Sequence, residues 1–198
     1  MTAAEIFERE EICSLPLDPV RLARQNGVRL VTYATYTAAK ASGASLPSND
    51  GFLVRGASSP VIVYNEKIAS AGRQRWTLIH ELCHLWMGHE SSDPRTEREV
   101  ERLTAELISP LTVMHLCGVS NAAQLCALCG VSAEAGRIRF GELQRRRAAK
   151  NFFDRDEDRR IAVRFLPYIS GVVCELTDQR IRRGKLRSAD IFQRGEFG

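Results

Sequence analysis

The segment His80-Glu81-Leu82-Cys83-His84 has the residue types and the spacing that metal-dependent hydrolysis requires. Residues four apart in an α-helix lie one turn apart and about 40° from each other, so both imidazoles point to the same place. Zn²⁺ prefers such ligands, and a catalytic zinc site keeps three protein ligands and one position for water. Glu81 follows the first histidine and is expected to accept a proton from that water as it attacks a peptide carbonyl. The segment predicts a zinc peptidase with His80 and His84 as metal ligands and Glu81 as the catalytic residue.

The residues alone do not decide which side chain is the third metal ligand. The next predicted helix offers four carboxylates at positions 97, 99, 101 and 106. Glu97 and Glu101 share a face that water can cover, whereas Glu99 lies on the side of Leu103 and Glu106. Acidic residues near a helix start are also favoured by the helix dipole, and paired histidines can be ordinary core or surface residues.

The motif needs a buried helix and a sheet beside it. Arg73 to Met87 is apolar on most of its helical circumference and is followed by Gly88, a common helix terminator. Upstream, Gly51 to Arg55 and Val61 to Asn65 predict two strands of a hairpin, and Val28 to Tyr33 predicts another strand. If the edge of the Val61 strand is open, it could hold an extended peptide by strand addition; ordinary pairing within the sheet is the alternative.

The rest of the chain predicts mainly helices. Thr35 to Asp50 shows no regular spacing of apolar residues and is expected to be a loop. Thr96 to Ile108 predicts a helix that ends before Pro110. Ala122 to Arg147 contains two helical stretches around a Gly-Val-Ser turn. Asp154 to Arg160 reads as a charge-dense link before a tail without a clear pattern.

These elements predict an α+β fold in which a small β-sheet packs on the central motif helix. A helical, helix-turn-helix-like region and a short C-terminal appendage follow. We expect a metallopeptidase core at 1–115, the helix-turn-helix-like region at 116–150 and a basic extension at 151–198.

Composition narrows the class of protein. An apolar fraction of 44% and a charged fraction of 26% are typical of a globular domain. The six cysteines are irregularly spaced, and no export signal or membrane-spanning stretch is visible, so a cytoplasmic protein is expected. From residue 137 on, 16 Lys and Arg face 9 Asp and Glu, which permits contact with DNA but more often indicates a solvated surface.

Two stretches resemble the ImmA/IrrE family of bacterial and phage metallopeptidases. They are Arg75 to Leu85, followed by Gly88-His89, and Glu99 to Pro110, which is similar to the family's Glu-Ala-Asn-x-Phe-Ala-Ala-x-Leu-Leu-x-Pro stretch. The resemblance is best over residues 50–110. It implies Zn²⁺ as cofactor and, by the position of the first glutamate of that stretch, Glu99 as the third ligand.

The resemblance also implies a substrate. Members of the family cut a helix-turn-helix repressor, often one encoded beside them, and so switch on a mobile-element or stress programme. This sequence departs from the family pattern at Cys83, where glycine is usual, at Glu101, where asparagine is usual, and at Leu103, where an aromatic is common. We expect Cys83 to be an inert residue of the core, because cysteine is small and often buried.

A second class of function competes with the peptidase. The basic run Arg145-Arg146-Arg147 and the positive tail would suit a DNA- or protein-binding regulator, of the kind that partners a toxin or antitoxin, with a non-catalytic zinc site. DNA contact is not favoured, and the oligomeric state is open. Cys126 and Cys129 have zinc-ligand spacing but are expected to be core thiols. His89 and His115 could stabilise an oxyanion, with structural roles as the alternative.

Overall fold

A small mixed sheet lies at the centre of the N-terminal half. The computed structural model describes residues 1–39, 46–55, 59–89, 93–150 and 152–193, with side chains as far as 179. The strands are β1 (Arg29–Thr32), β2 (Gly51–Val54) and β3 (Val61–Tyr64), in the order β1-β3-β2. Central β3 runs parallel to β1 and antiparallel to β2. The predicted hairpin and the predicted first strand are confirmed.

Helices surround this sheet and continue to the C-terminus. In chain order they are α1 (Ala3–Arg9), α2 (Pro19–Gln25), α3 (Tyr33–Ala39), α4 (Ala71–Met87), α5 (Pro94–Ile108), α6 (Leu111–Leu116), α7 (Ala122–Cys129), α8 (Ala133–Ala148), α9 (Asp156–Arg164) and α10 (Leu166–Gln193). The predicted α+β fold, with the sheet packed on the motif helix, is therefore confirmed.

Helix α4 is the motif helix, and its ends follow from local sequence. The Ser70 side chain accepts a hydrogen bond from the Arg73 N–H and so caps the first turn. Gly88 ends the helix in the left-handed conformation, with φ of 71°, which glycine adopts without the steric cost of a Cβ. Leu78, Ile79 and Leu82 are buried, as the apolar pattern predicts.

Of the two alternatives left open for the Val61 strand, the structure shows ordinary pairing, because β3 is paired on both sides. Two expectations were wrong. Part of the expected loop from Thr35 forms helix α3, whose Tyr33 N–H and Ala34 N–H are capped by the Glu66 carboxylate from a distant segment. The charge-dense stretch from Asp154 is largely helix α9 rather than a link. The other loop residues 40–45, and residues 56–58 of the hairpin turn, lie outside the described residues.

Helix α9 is attached to the core by a buried acid. Asp158 is 3% exposed, accepts a hydrogen bond from Thr112 Oγ1 at 2.6 Å and pairs with Arg146. Phe165, directly after α9, packs edge-on against Phe7 of α1 with ring centroids 4.9 Å apart. Helix α9 and the residues after it as far as Ile169 therefore share the core of the N-terminal helices, although the expected domain boundaries stay a prediction.

Candidate metal centre

Helices α4 and α5 bring two imidazoles and one carboxylate to a common point. The Nε2 atoms of His80 and His84 lie 3.2 Å apart. Glu97 reaches them from the first turns of α5, with Oε2 at 3.3 Å from His80 Nε2 and Oε1 at 3.3 Å from His84 Nε2. Among the described residues, these three form the group whose ligand atoms are close enough to share a metal ion.

The spacing of the three atoms fits a tetrahedral cation. Ligands about 2.0–2.1 Å from Zn²⁺ in tetrahedral geometry are separated from each other by about 3.3–3.4 Å. Burial lowers the pKa of both His80 and His84, although the Glu97 charge opposes this effect. Neutral imidazoles with converging Nε2 lone pairs next to a carboxylate repel one another unless a proton or cation lies between them. The residues thus fit a divalent metal site.

The carboxylate beside the two imidazoles is that of Glu97, whereas Glu99, which the resemblance implied as third ligand, lies elsewhere. Two residues along a helix correspond to a rotation of about 200°, so the two side chains leave α5 on opposite sides. Glu99 pairs with Arg95 at 3.2 Å and lines a separate charged cavity with Met1 and Arg102. Glu106, the other acid on that side, pairs with Arg139.

The sequence indicated which end of α5 lies near the histidines, but not which of its glutamates faces them. Gly88 ends α4, and the Asp93 side chain caps α5 by accepting from the Arg95 and Thr96 N–H groups. With so short a connection, the beginning of α5 must return beside the end of α4, where His84 lies. Glu97 is the first acidic residue of α5, but it is only about 3 Å along the helix axis from Glu99, so chain reach does not separate the two.

Glu81 is the buried carboxylate next to the imidazoles. Its side chain lies on α4 between the histidines and strand β2, and it is 9% exposed. Burial raises its pKa to about 7; the Leu53 backbone amide opposes the rise, and the Glu97 charge adds to it. A carboxyl with a pKa near neutrality can both take up and release a proton at physiological pH.

The free edge of β2 runs beside α4, past Glu81. The Asn65 N–H donates to the Asp50 carbonyl at 2.9 Å, so these two residues form a hydrogen-bonded pair. Along the β2–β3 ladder, hydrogen-bonded pairs then alternate with pairs that are not hydrogen-bonded to each other. Gly51 and Leu53 then occupy the positions whose N–H and C=O groups point away from β3. No strand within the described residues pairs with this side. The open edge beside Glu81 therefore belongs to β2 and not to the Val61 strand.

These groups line one open cavity of about 570 Å³. Its walls include the metal-site residues, Glu81 and the outer edge of β2. Arg55 and His89 close one end, where Arg55 Nη2 donates to the His84 carbonyl at 3.1 Å and to the His89 carbonyl at 2.8 Å. Sequence reasoning missed Arg55, because no local pattern marks a side chain that reaches another helix end.

The other candidate residues divide between this cavity and the core. His89 lies at the cavity, with its ring centroid 5.7 Å from that of His84. His115 does not line the cavity and stacks on Phe152 at 4.1 Å. Cys83 is buried and accepts from Thr104 Oγ1 at 3.5 Å, and burial raises its pKa to about 12, which makes the thiol unreactive.

The cysteine pair of α7 does not form a metal site in the described part of the chain. Cys129 is buried against Met114, and the Cys126 thiol donates to the Ser132 carbonyl. All six cysteines are free thiols. No described helix has the length and apolar character needed to cross a membrane.

Comparison with known protein families adds independent information. The model of the family Peptidase_M78, described as the IrrE N-terminal-like domain, matches residues 31–140, which include the end of β1, all of β2 and β3, the motif helix and the whole of α5. A comparison with curated proteins gave no match. The matched region covers more than half of the 198 residues and contains His80, His84, Glu97 and Glu81. The chain therefore belongs to the Peptidase_M78 family, the IrrE N-terminal-like domain.

Proposed function

We propose that this protein is a zinc-dependent endopeptidase that cleaves a helix-turn-helix repressor and so relieves repression. The observation that carries the peptidase part is the convergence of His80, His84 and Glu97 beside a buried Glu81. Family membership supports the same class of activity. The repressor as substrate, like a cytoplasmic location, rests on the resemblance of the motifs.

In this proposal His80, His84 and Glu97 hold the metal and leave one side of the cavity to water and substrate. A bound Zn²⁺ would polarise the peptide carbonyl and lower the pKa of water. Two neutral histidines and one carboxylate suit Zn²⁺, because imidazole and carboxylate are its usual ligands in peptidases.

Glu81 moves the proton. Its carboxylate takes a proton from the attacking water and donates it to the leaving amine, which requires a group that changes charge near neutral pH. The pKa of about 7 given by burial meets that requirement. Because Glu81 faces β2, substrate bound along this edge would lie beside the group that exchanges the proton.

The outer edge of β2 would hold the substrate. The C=O groups of Gly51 and Leu53 can accept hydrogen bonds from an extended peptide, and this pairing is independent of substrate side chains. The two N–H groups donate instead to Ser48 Oγ at 3.4 Å and to the Glu81 carboxylate. Arg55 at the end of the cavity would add positive charge there. A repressor segment must be extended, or become so, to pair in this way.

The test uses purified protein loaded with Zn²⁺ and a helix-turn-helix repressor encoded beside it, with products identified by mass spectrometry. We expect a defined cut by the unaltered chain, none by Glu81→Gln, and loss of the metal itself in His80→Ala. Glu99→Gln is the matched control and should cut normally. If Glu81→Gln retains full biological activity and the protein binds DNA in a salt-sensitive manner, the regulator hypothesis replaces the peptidase.

A further inference from the structure

A small apolar pocket opens where helices α4, α5 and α8 meet. It has a volume of about 140 Å³ and is walled mainly by Trp76, Ala105, Ile108, Val131, Ala135 and Ile138. Ile138 is 62% exposed, so its side chain is accessible from solvent. The pocket therefore presents an apolar surface that no described residue covers.

The pocket lies on the same helix faces as the metal centre. Trp76 precedes His80 by four residues on α4, so its side chain is one turn away on the same side. On α5, Ile108 follows Glu97 by eleven residues, a net rotation of about 20° that returns it to the face of Glu97, and Ala105 lies about 80° from Glu97 beside that face. Glu101, between them on this face, is close enough for its charge to raise the pKa of His80.

Strand β2 runs alongside α4 in the same direction. A Cβ on Gly51 would meet Thr77 Cγ2 at 2.6 Å, and Arg55 at the other end of the strand binds the carbonyl of His84. A peptide paired with the β2 edge would therefore follow the axis of α4 across the metal centre. At one end it reaches Arg55 and His89, and at the other it approaches Trp76.

The distance fits a short extended segment. Trp76 is about 6 Å along the helix axis from His80 and about 12 Å from His84. An extended peptide rises about 3.3 Å per residue, so the pocket lies two or three residues from a bond held at the metal centre. Antiparallel pairing is the more stable arrangement, and a peptide antiparallel to β2 runs towards Trp76 in its C-terminal direction.

We propose that this pocket is a specificity subsite that accepts an apolar side chain of the substrate, two or three residues to the C-terminal side of the cleaved bond. The inference rests on the proposed peptidase function. The volume of the pocket, about 140 Å³, suits an aliphatic side chain of the size of leucine or isoleucine. The occupant belongs to the same peptide that pairs with β2, because Trp76 and Ile108 of the pocket lie on the helix faces that carry His80 and Glu97.

The walls of the pocket are held in place by ion pairs. Arg139 pairs with Glu106 of α5 and with Glu142 of its own helix, and its Nε donates to the Ser109 carbonyl at 2.8 Å. These contacts fix α8 against α5 before any substrate binds. The helix-turn-helix-like region thereby contributes one wall of the subsite.

The test compares cleavage preferences. A mixture of peptides from a digested proteome is incubated with zinc-loaded protein, and the residues around each cut are read by mass spectrometry. We expect an apolar preference at the second or third residue after the cut. Ile138→Asp and Ala135→Leu should lower kcat/KM for such peptides about tenfold or more and leave peptides with glycine there unchanged. Val163→Asp, at a 68% exposed position on α9, is the matched control and should keep the preference.

A binding measurement separates the two proposals. With Glu81→Gln, a decapeptide spanning the best cleavage site should shift the fluorescence of Trp76, and the same peptide with glycine at the apolar position should not. If the unaltered protein cuts no peptide in the mixture, the peptidase proposal fails, and the subsite with it. If it cuts but Ile138→Asp leaves the preference and the fluorescence shift intact, the subsite alone is refuted.

Discussion

Replacing Glu97 by glutamine tests the third metal ligand directly. The carboxylate lies 3.3 Å from both imidazole Nε2 atoms, whereas Glu99 contacts Arg95 on another side of α5. Glutamine has nearly the same shape and keeps the helix, so Glu97→Gln changes the charge and the donor atom with little effect on packing. We expect Glu97→Gln to weaken zinc binding and Glu99→Gln to leave it almost unchanged.

The size of the effect follows from the number of ligands. Structural zinc sites with four protein ligands bind with roughly 10–16 kcal/mol, or about 3 kcal/mol for each ligand. Losing one of three ligands should therefore weaken binding by about 100-fold, since 1.4 kcal/mol corresponds to a factor of ten. The Arg95–Glu99 pair is exposed, with 84% and 36% of the two side chains accessible, and such pairs contribute at most about 1 kcal/mol to folding.

The assay is competition for Zn²⁺ between the protein and a chelating fluorophore of known affinity. Glu101→Gln is a further control, because it removes a charge near His80 without removing a ligand. It should weaken binding by less than Glu97→Gln. Full zinc affinity in Glu97→Gln together with a loss in Glu99→Gln would refute the assignment and restore the ligand expected from the resemblance.

Three further predictions concern stability. Burial and nearby arginines lower the pKa of His115, so this side chain takes up a proton at higher pH in the unfolded chain than in the folded one. The free energy of unfolding should therefore fall as the pH drops below about 6.5, and it should fall less in His115→Gln. A Cβ on Gly136 would collide with Cys126 Sγ, so Gly136→Ala should cost roughly 1–3 kcal/mol, and Cys126→Ala should restore much of it. Asp158→Asn leaves Arg146 without its buried charged partner and should cost roughly 3–5 kcal/mol.

Urea unfolding followed by circular dichroism measures all three. Equal acid sensitivity of His115→Gln and the unaltered chain would contradict the assignment of that sensitivity to His115. For Gly136, additive effects of the two substitutions would show that the thiol is not the obstacle. For Asp158, a loss below 1 kcal/mol would mean that α9 is held by its apolar contacts, such as that between Phe7 and Phe165.

Local patterns determined much of this protein. The period of the helix places His80 and His84 on one side, and Ser70 and Gly88 set the limits of α4, because capping and periodicity depend on residues a few positions apart. The hairpin of β2 and β3 and the paired helices α7 and α8 follow from the same kind of signal. These are the parts of the fold and site that the sequence predicted correctly.

Tertiary structure decided which carboxylate faces the imidazoles and which strand is open. Glu97 and Glu99 are equally acidic, and only the packing of α5 on α4 turns one of them towards His84. Likewise, the sequence marks three strands but not their order; pairing of β1 with β3 closes the edge of β3 and leaves that of β2. Both outcomes depend on contacts between segments distant in the chain, which no local period encodes.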